Sequence, residues 1–161
     1  MRTNAEASTF TTTFTTTIAE LPSHVGRKLG PTEWQSMTQD SVNQFADLTH
    51  DHNFIHVDPE RARQTQFRGT IAHGFLTLSM VGPISQQLIA VKDAATSINY
   101  GLNKVRFPAP LPVGGFFRGH GEIVEVTPVE GGVQVTATFT IEVQDLRKPA
   151  LVAECLLRYY R

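Results

Sequence analysis

Apolar and polar residues change rhythm along this chain. Over residues 38–48 the apolar positions Val42, Phe45, Ala46 and Leu48 recur at roughly helical spacing. Thr38 is a suitable N-cap, so a helix is expected that ends near Thr49. Residues 51–58 read as a loop. Pro59, following Asp58 as a cap, then opens one or two further turns. Residues 71–91, IAHGFLTLSMVGPISQQLIAV, are apolar nearly all round. They predict a buried central helix, kinked around Gly82 and Pro83, because Pro83 has no N–H and crowds the turn before it. Beyond Ala95 the period becomes two. Ile98, Tyr100 and Leu102 share one face, while Val105 and Phe107 fall on the opposite parity, so a bulge is expected near Asn103 and Lys104. PAPLP (108–112) is a rigid turn, 116–126 a strand, and Gly131 and Gly132 suit a tight hairpin. Residues 133–143 alternate cleanly, and 151–159 repeat the pattern. The expected class is α+β, a long antiparallel sheet wrapped around one buried helix.

The first residues are less regular. TFTTTFTTT (9–17) reads as a weakly ordered terminus, in preference to an arm that docks Phe10 and Phe14. Residues 18–25 predict a short helix interrupted by Pro22. Residues 26–37 predict an irregular first strand with Trp34 pointing into the core. We therefore expect residues 1–25 to be an extension and residues 26–161 to be the domain.

Composition narrows the function classes. The 161 residues suit one core, and 40% hydrophobic with 18% charged residues is an ordinary globular balance. Fourteen Lys and Arg against fifteen Asp and Glu leave a formal net charge of −1, without the broad basic face that nucleic acid or an anionic membrane requires. The single cysteine, Cys155, can form no intrachain disulfide. No apolar run reaches membrane-spanning length, and the N-terminus lacks a continuous apolar core of the secretory kind, so a cytoplasmic protein is expected.

Chemistry concentrates between Phe45 and Leu76, which holds four of the six histidines. Asp51 and His56 sit in one loop and can turn onto one point. A carboxylate and an imidazole facing one water can divide proton transfer between them, which suits adding water across a double bond or removing it. That reaction builds negative charge on a carbonyl oxygen. Gly74, near the start of the central helix, offers an N–H at the positive end of the helix and no side chain to block approach. Asn53, Phe54, Ala72 and His73 flank this pair as candidate substrate contacts. Asn53 also reads as holding the loop in shape, and His73 as a hydrogen-bonder at the helix start. Two other readings stand beside catalysis. Asp51 and His56 could merely satisfy a turn, or His50, Asp51, His52 and His56 could bind a metal, although their spacing fits no familiar site. Cys155 lies on the inward parity of a strand and reads as core. Arg68, Lys104 and Arg106 read equally as phosphate contacts and as solvated charges.

Phe45-Ala46-x-Leu48-Thr49-x-Asp51-x-Asn53-x-x-His56, then Ala62, Phe67 and Ile71-Ala72-His73-Gly74-Phe75-Leu76, resemble the hydratase motif of MaoC-like domains, the (R)-specific enoyl-CoA hydratases. Residues 98–110, INYGLNKVRFPAP, resemble the nodulation-protein-N-like dehydratases within that group. The resemblance runs from about Gly26 to the C-terminus. It implies a hotdog fold, Asp51 and His56 as catalytic pair, the Gly74 N–H as oxyanion donor, and a homodimer with an acyl-CoA tunnel between subunits. It implies no metal and no redox cofactor, the substrate being carried as a CoA thioester. Two positions depart from it. His50 stands where the family usually has Gly, and Phe54 where it usually has Pro, so Phe54 is expected to reshape the acyl pocket. A thioesterase on the same fold and a non-catalytic acyl-binding module are the rival functions.

Overall fold

The structure, a computed structural model, describes residues 13–161. Three long antiparallel strands form its centre: β6 (Phe116–Val129), β7 (Gly132–Val143) and β8 (Leu151–Tyr160). They belong to a six-stranded sheet ordered β2-β6-β7-β8-β5, in which β3 also pairs with β6. Here β2 is Lys28–Leu29, β3 is Gln35–Ser36 and β5 is Thr96–Arg106. Strict alternation builds the inner face. Val133, Val135, Ala137, Phe139, Ile141 and Val143 of β7 are all buried, as are Leu151, Ala153, Cys155, Leu157 and Tyr159 of β8. The sheet wraps over the central helix, as the change of period implies, and the β6–β7 hairpin turns at Gly131, whose φ is +76°.

Helix α1 (Gln39–Thr49) forms where its cap requires, with the Thr38 hydroxyl accepting from the Ser41 N–H at 3.1 Å. Two short helices follow, α2 (Phe54–Val57) and α3 (Pro59–Arg63), the latter capped by the Asp58 side chain.

The central helix differs from expectation in three ways. It begins at Gly74, not Ile71. The Ile71 N–H donates to the Ile55 carbonyl at 3.0 Å and the Ala72 N–H to the Leu111 carbonyl at 2.8 Å, so this backbone is held extended by its neighbours. It then divides into α4 (Gly74–Ser79) and α5 (Val81–Leu88) at Met80, one turn before Pro83. Pro83 can give no N–H to the Ser79 carbonyl and crowds it, so the break falls there. Finally, it stops at Leu88, and Ile89–Val91 becomes β4, which pairs in parallel with β1 (Phe14–Thr16). Only one face of the helix is buried, through Leu76, Val81, Ile84 and Leu88, whereas Phe75 is 72% exposed.

Other expectations are also corrected. Trp34 is 39% exposed and stacks under the Arg118 guanidinium at 4.5 Å, so it does not point into the core. Residues 26–37 are two short strands, and residues 21–24 a single 3-10 turn. Phe14 lies in a strand and packs against the core, so the docked-arm reading holds for it; Phe10 lies outside the described residues. β5 carries the expected irregularity between Leu102 and Lys104 and a second between Asn99 and Gly101. Ile98, Tyr100 and Leu102 on β5 are exposed. No helix among the described residues is long and apolar enough to cross a membrane.

The helix sits on the sheet at Gly119 of β6, where an added Cβ would overlap the Ile84 side chain. Gly119→Ala is therefore expected to lower the unfolding free energy by about 1–3 kcal/mol through overpacking. Chemical denaturation would measure this, and an unchanged midpoint would contradict the close approach.

Candidate active site

The loop after α1 carries the chemistry. It starts at His50, the C-cap of α1, whose φ of 59° lies in the left-handed region. The Asn53 side chain then caps α2 by accepting from the Ile55 N–H at 3.3 Å. This single turn points the His56 side chain inward, where it is 8% exposed. Asp51 is exposed on the same loop. One side-chain atom each from Asp51, His56 and His73, a carboxylate oxygen and two ring nitrogens of the kind that can ligate a metal, lie within 4.8 Å of one another.

Hydrogen bonds determine the tautomers. His56 Nδ1 lies 2.7 Å from the Ile71 carbonyl oxygen. A carbonyl can only accept, so Nδ1 carries the proton and Nε2 keeps a lone pair. His73 Nε2 donates in the same way to the Asp51 backbone oxygen at 2.9 Å. His73 Nδ1 is buried and has no partner among the described residues. Leaving such a group unpaired costs about 1–3 kcal/mol. The two rings stack face to face, with centroids 3.8 Å apart and planes 28° apart. Burial pushes the pKa of His56 below the ordinary histidine value. The neighbouring His73 acts in the same direction, while the bond to Ile71 and the charge of Asp51 oppose it. His56 is therefore a neutral imidazole at neutral pH.

Beside it lies a cleft of about 310 Å³ walled by His56, Phe67, Ala72, Gly74, Phe107 and Pro110, among others. Gly74 opens α4, where N–H groups have no partner inside the helix. The Phe107 ring stands 3.5 Å from where a Gly74 Cβ would be, so a side chain there would fill the remaining gap.

Thus His56, Ala72 and Gly74 all line the cleft, while Asp51 lies outside its wall and approaches His56 and His73 from the exposed loop. Asn53 serves as a cap. Phe54 is not part of that wall; its ring lies under the Arg61 guanidinium at 4.2 Å. His73 is 2% exposed and lies behind the cleft, not in it. The four residues considered for a metal do not converge, since His50 caps a helix and His52 meets Asp47 at 2.9 Å. Arg68, Lys104 and Arg106 are exposed. Cys155 is buried, and burial pushes its thiol up to about 11, which leaves no nucleophile.

Sequence reading missed Gln39. Its amide donates to the His56 carbonyl at 2.7 Å, and its oxygen accepts from the Thr70 hydroxyl at 2.6 Å. A glutamine in a first helical turn carries no signal of such a distant contact. Phe67 and Phe107 appeared in the motifs, but nothing marked them as walls.

Residues 20–144 match the family model described as MaoC like domain. The chain is 49% identical over 143 residues to 3-hydroxyacyl-thioester dehydratase Z of Mycobacterium tuberculosis, covering 88% of this chain and 95% of that protein. It is 40% identical over 140 residues to nodulation protein N of Rhizobium leguminosarum bv. viciae, covering 84% and 86%. Among solved structures, the (R)-hydratase from A. caviae involved in PHA biosynthesis superposes with a TM-score of 0.69 at 27% identity, covering 83% of this chain and 94% of that one.

His50 holds a backbone conformation that suits glycine. His50→Gly is expected to raise stability by about 0.5–1 kcal/mol, since the left-handed conformation costs a side chain that much or more. A thermal melt at fixed pH would show the gain, and a drop in midpoint would mean that the imidazole makes a compensating contact.

Proposed function

The chain belongs to the MaoC-like dehydratase family and is a hydro-lyase with the hotdog fold, and from that premise we propose that it interconverts trans-2-enoyl-CoA and (R)-3-hydroxyacyl-CoA. The observation that carries this reading is the convergence of Asp51 and His56 beside a cleft that contains Gly74. The Asp51 carboxylate and His56 Nε2 are both acceptors. A water has two hydrogens to donate, one to each, and bridging acceptors by two ordinary bonds spans about 4.5 Å. A carboxylate oxygen of Asp51 and a ring nitrogen of His56 lie no more than 4.8 Å apart, within reach of one bridging water.

Held this way, the water turns an oxygen lone pair toward the β-carbon. As the C–O bond forms, the double-bond electrons move toward the thioester oxygen, and the Gly74 N–H donates to the enolate that develops. One member of the pair takes a proton from the water, and a proton is returned to the α-carbon, so the net change is addition of H and OH. The reverse sequence is dehydration, the direction for which the mycobacterial relative is named. The change is redox-neutral and asks for no redox cofactor. An imidazole binds a metal through a lone pair in its ring plane. The near-parallel stack of His56 and His73 sets those planes side by side, not convergent, which favours a water site over a metal site. A CoA thioester substrate is in keeping with a cytoplasmic location.

The uncovered edge of β5, with Ile98, Tyr100 and Leu102, and the exposed Phe75 on the helix support a homodimer with the acyl-CoA tunnel at its interface. Analytical ultracentrifugation should show two chains per particle, and a fully active monomer would refute this.

Asp51→Asn and His56→Ala are each expected to lower kcat on crotonyl-CoA by about a hundredfold or more, with unchanged circular dichroism. Loss of enoyl absorbance with chiral analysis of the product measures this; either variant at the wild-type rate would refute the assignment. Release of free thiol without hydration would indicate a thioesterase. Tight acyl-CoA binding without turnover of any enoyl-CoA would indicate a binding module. The pH profile carries a further expectation. The site needs the His56 lone pair, and the imidazole protonates only below the ordinary value of 6.5. kcat/KM should therefore hold as pH falls to 6.5 and decline only below it.

A further inference from the structure

His73 is unexplained by the hydration scheme. It is 2% exposed and forms no part of the cleft wall, so substrate does not reach it. Yet its Nδ1 is buried without a partner among the described residues, a cost that an apolar side chain of similar size would avoid. Something else about the ring must compensate. Nε2 donates to the Asp51 backbone oxygen across a separation of 22 residues. One ring face lies on His56. The His73 carbonyl accepts from both the Thr77 N–H and the Thr77 hydroxyl, at 3.0 and 3.2 Å, which fastens the residue into the first turn of α4. Gly74 is the next residue. One side chain therefore touches both water-binding residues and adjoins the oxyanion donor.

We propose that His73 is the positioning residue of this site, tying the Asp51 loop to the start of α4 and bracing the His56 ring so that the two water-binding groups keep their working separation. The inference rests on the hydratase reading for its activity readout, but not for its structural one. The groups that face His56 are the Asp51 carboxylate from the loop, the His73 ring from the helix start and the Ile71 carbonyl from the extended segment between them. Of these, the His73 ring can be replaced while both water-binding side chains are kept.

Two variants separate positioning from mere packing. His73→Phe keeps a ring of similar size against His56 but loses the N–H to Asp51. His73→Gln keeps a donor and loses the stack. His73→Phe should lower kcat on crotonyl-CoA by about a hundredfold while KM stays within about threefold, since misplaced groups hurt chemistry more than binding. His73→Gln should recover part of that loss. The acid limb of kcat/KM should move to higher pH in His73→Phe, because the His73 ring is one of the groups that disfavours charge on His56. A purely structural role would lower the melting temperature and leave kcat per folded protein and the acid limb in place, and that result overturns the proposal. NMR titration of the His56 ring needs no substrate. It should shift upward in pH in His73→Phe, and an unmoved titration overturns the proposal whatever the activity. If that variant does not fold, the His73→Gln titration decides in the same way. A wild-type protein that hydrates no enoyl-CoA would instead overturn the hydratase reading, with the NMR result still deciding this one.

Discussion

Three extended residues, Ile71, Ala72 and His73, carry the hydrogen bonds on which the arrangement depends. The Ile71 N–H reaches the Ile55 carbonyl and the Ile71 carbonyl receives the His56 ring. The Ala72 N–H reaches the carbonyl of Leu111, at the end of the proline-rich turn, and the His73 ring reaches Asp51. The loop that carries Asp51 and His56, the cleft wall and the helix start are thus all fastened to one short piece of backbone. Its bonds are made outward, to neighbours, which is why it cannot also be helical. The start of the helix at Gly74 is what places there an N–H with no partner inside the helix.

The same residues show what was legible in the sequence and what was not. Strands β6, β7 and β8 were visible because each buries one face against the helix, and burial writes a period of two. Helix α1 was visible through Thr38 and its apolar spacing. Apolar content without a boundary signal misled for residues 71–91, because the competition for the Ile71 and Ala72 backbone comes from residues 55 and 111, far away in the chain. Trp34 misled for a related reason. An aromatic in an irregular segment reads as inward, but its partner is Arg118 on β6. Within the candidate site, the nearness of Asp51 to His56 is legible because the two share one short loop. The bonds of His73 to Asp51 and of Gln39 to His56 span long separations and leave no local trace.

Burial does the electrostatic work of the site. His56 stays neutral mainly because it is removed from water, and the Ile71 carbonyl selects which nitrogen keeps its lone pair. The exposed Asp51 contributes charge, and the buried His56 contributes a fixed direction. His50 marks a different balance. The turn that delivers Asp51 needs a left-handed residue, and here a histidine holds a conformation that glycine adopts most easily.

The state of Cys155 has a practical consequence. It is the only cysteine of the chain, buried on the inner face of β8 with a thiol pKa pushed up to about 11. At neutral pH about one molecule in ten thousand would carry the thiolate at that value, and the folded strand shields even that fraction. A thiol in that state is expected to react slowly with thiol-detecting dyes and oxidants while the strand is folded. Slow labelling of Cys155 in the folded protein against fast labelling after denaturation would then serve as a gauge of folding, separate from chemistry at the site.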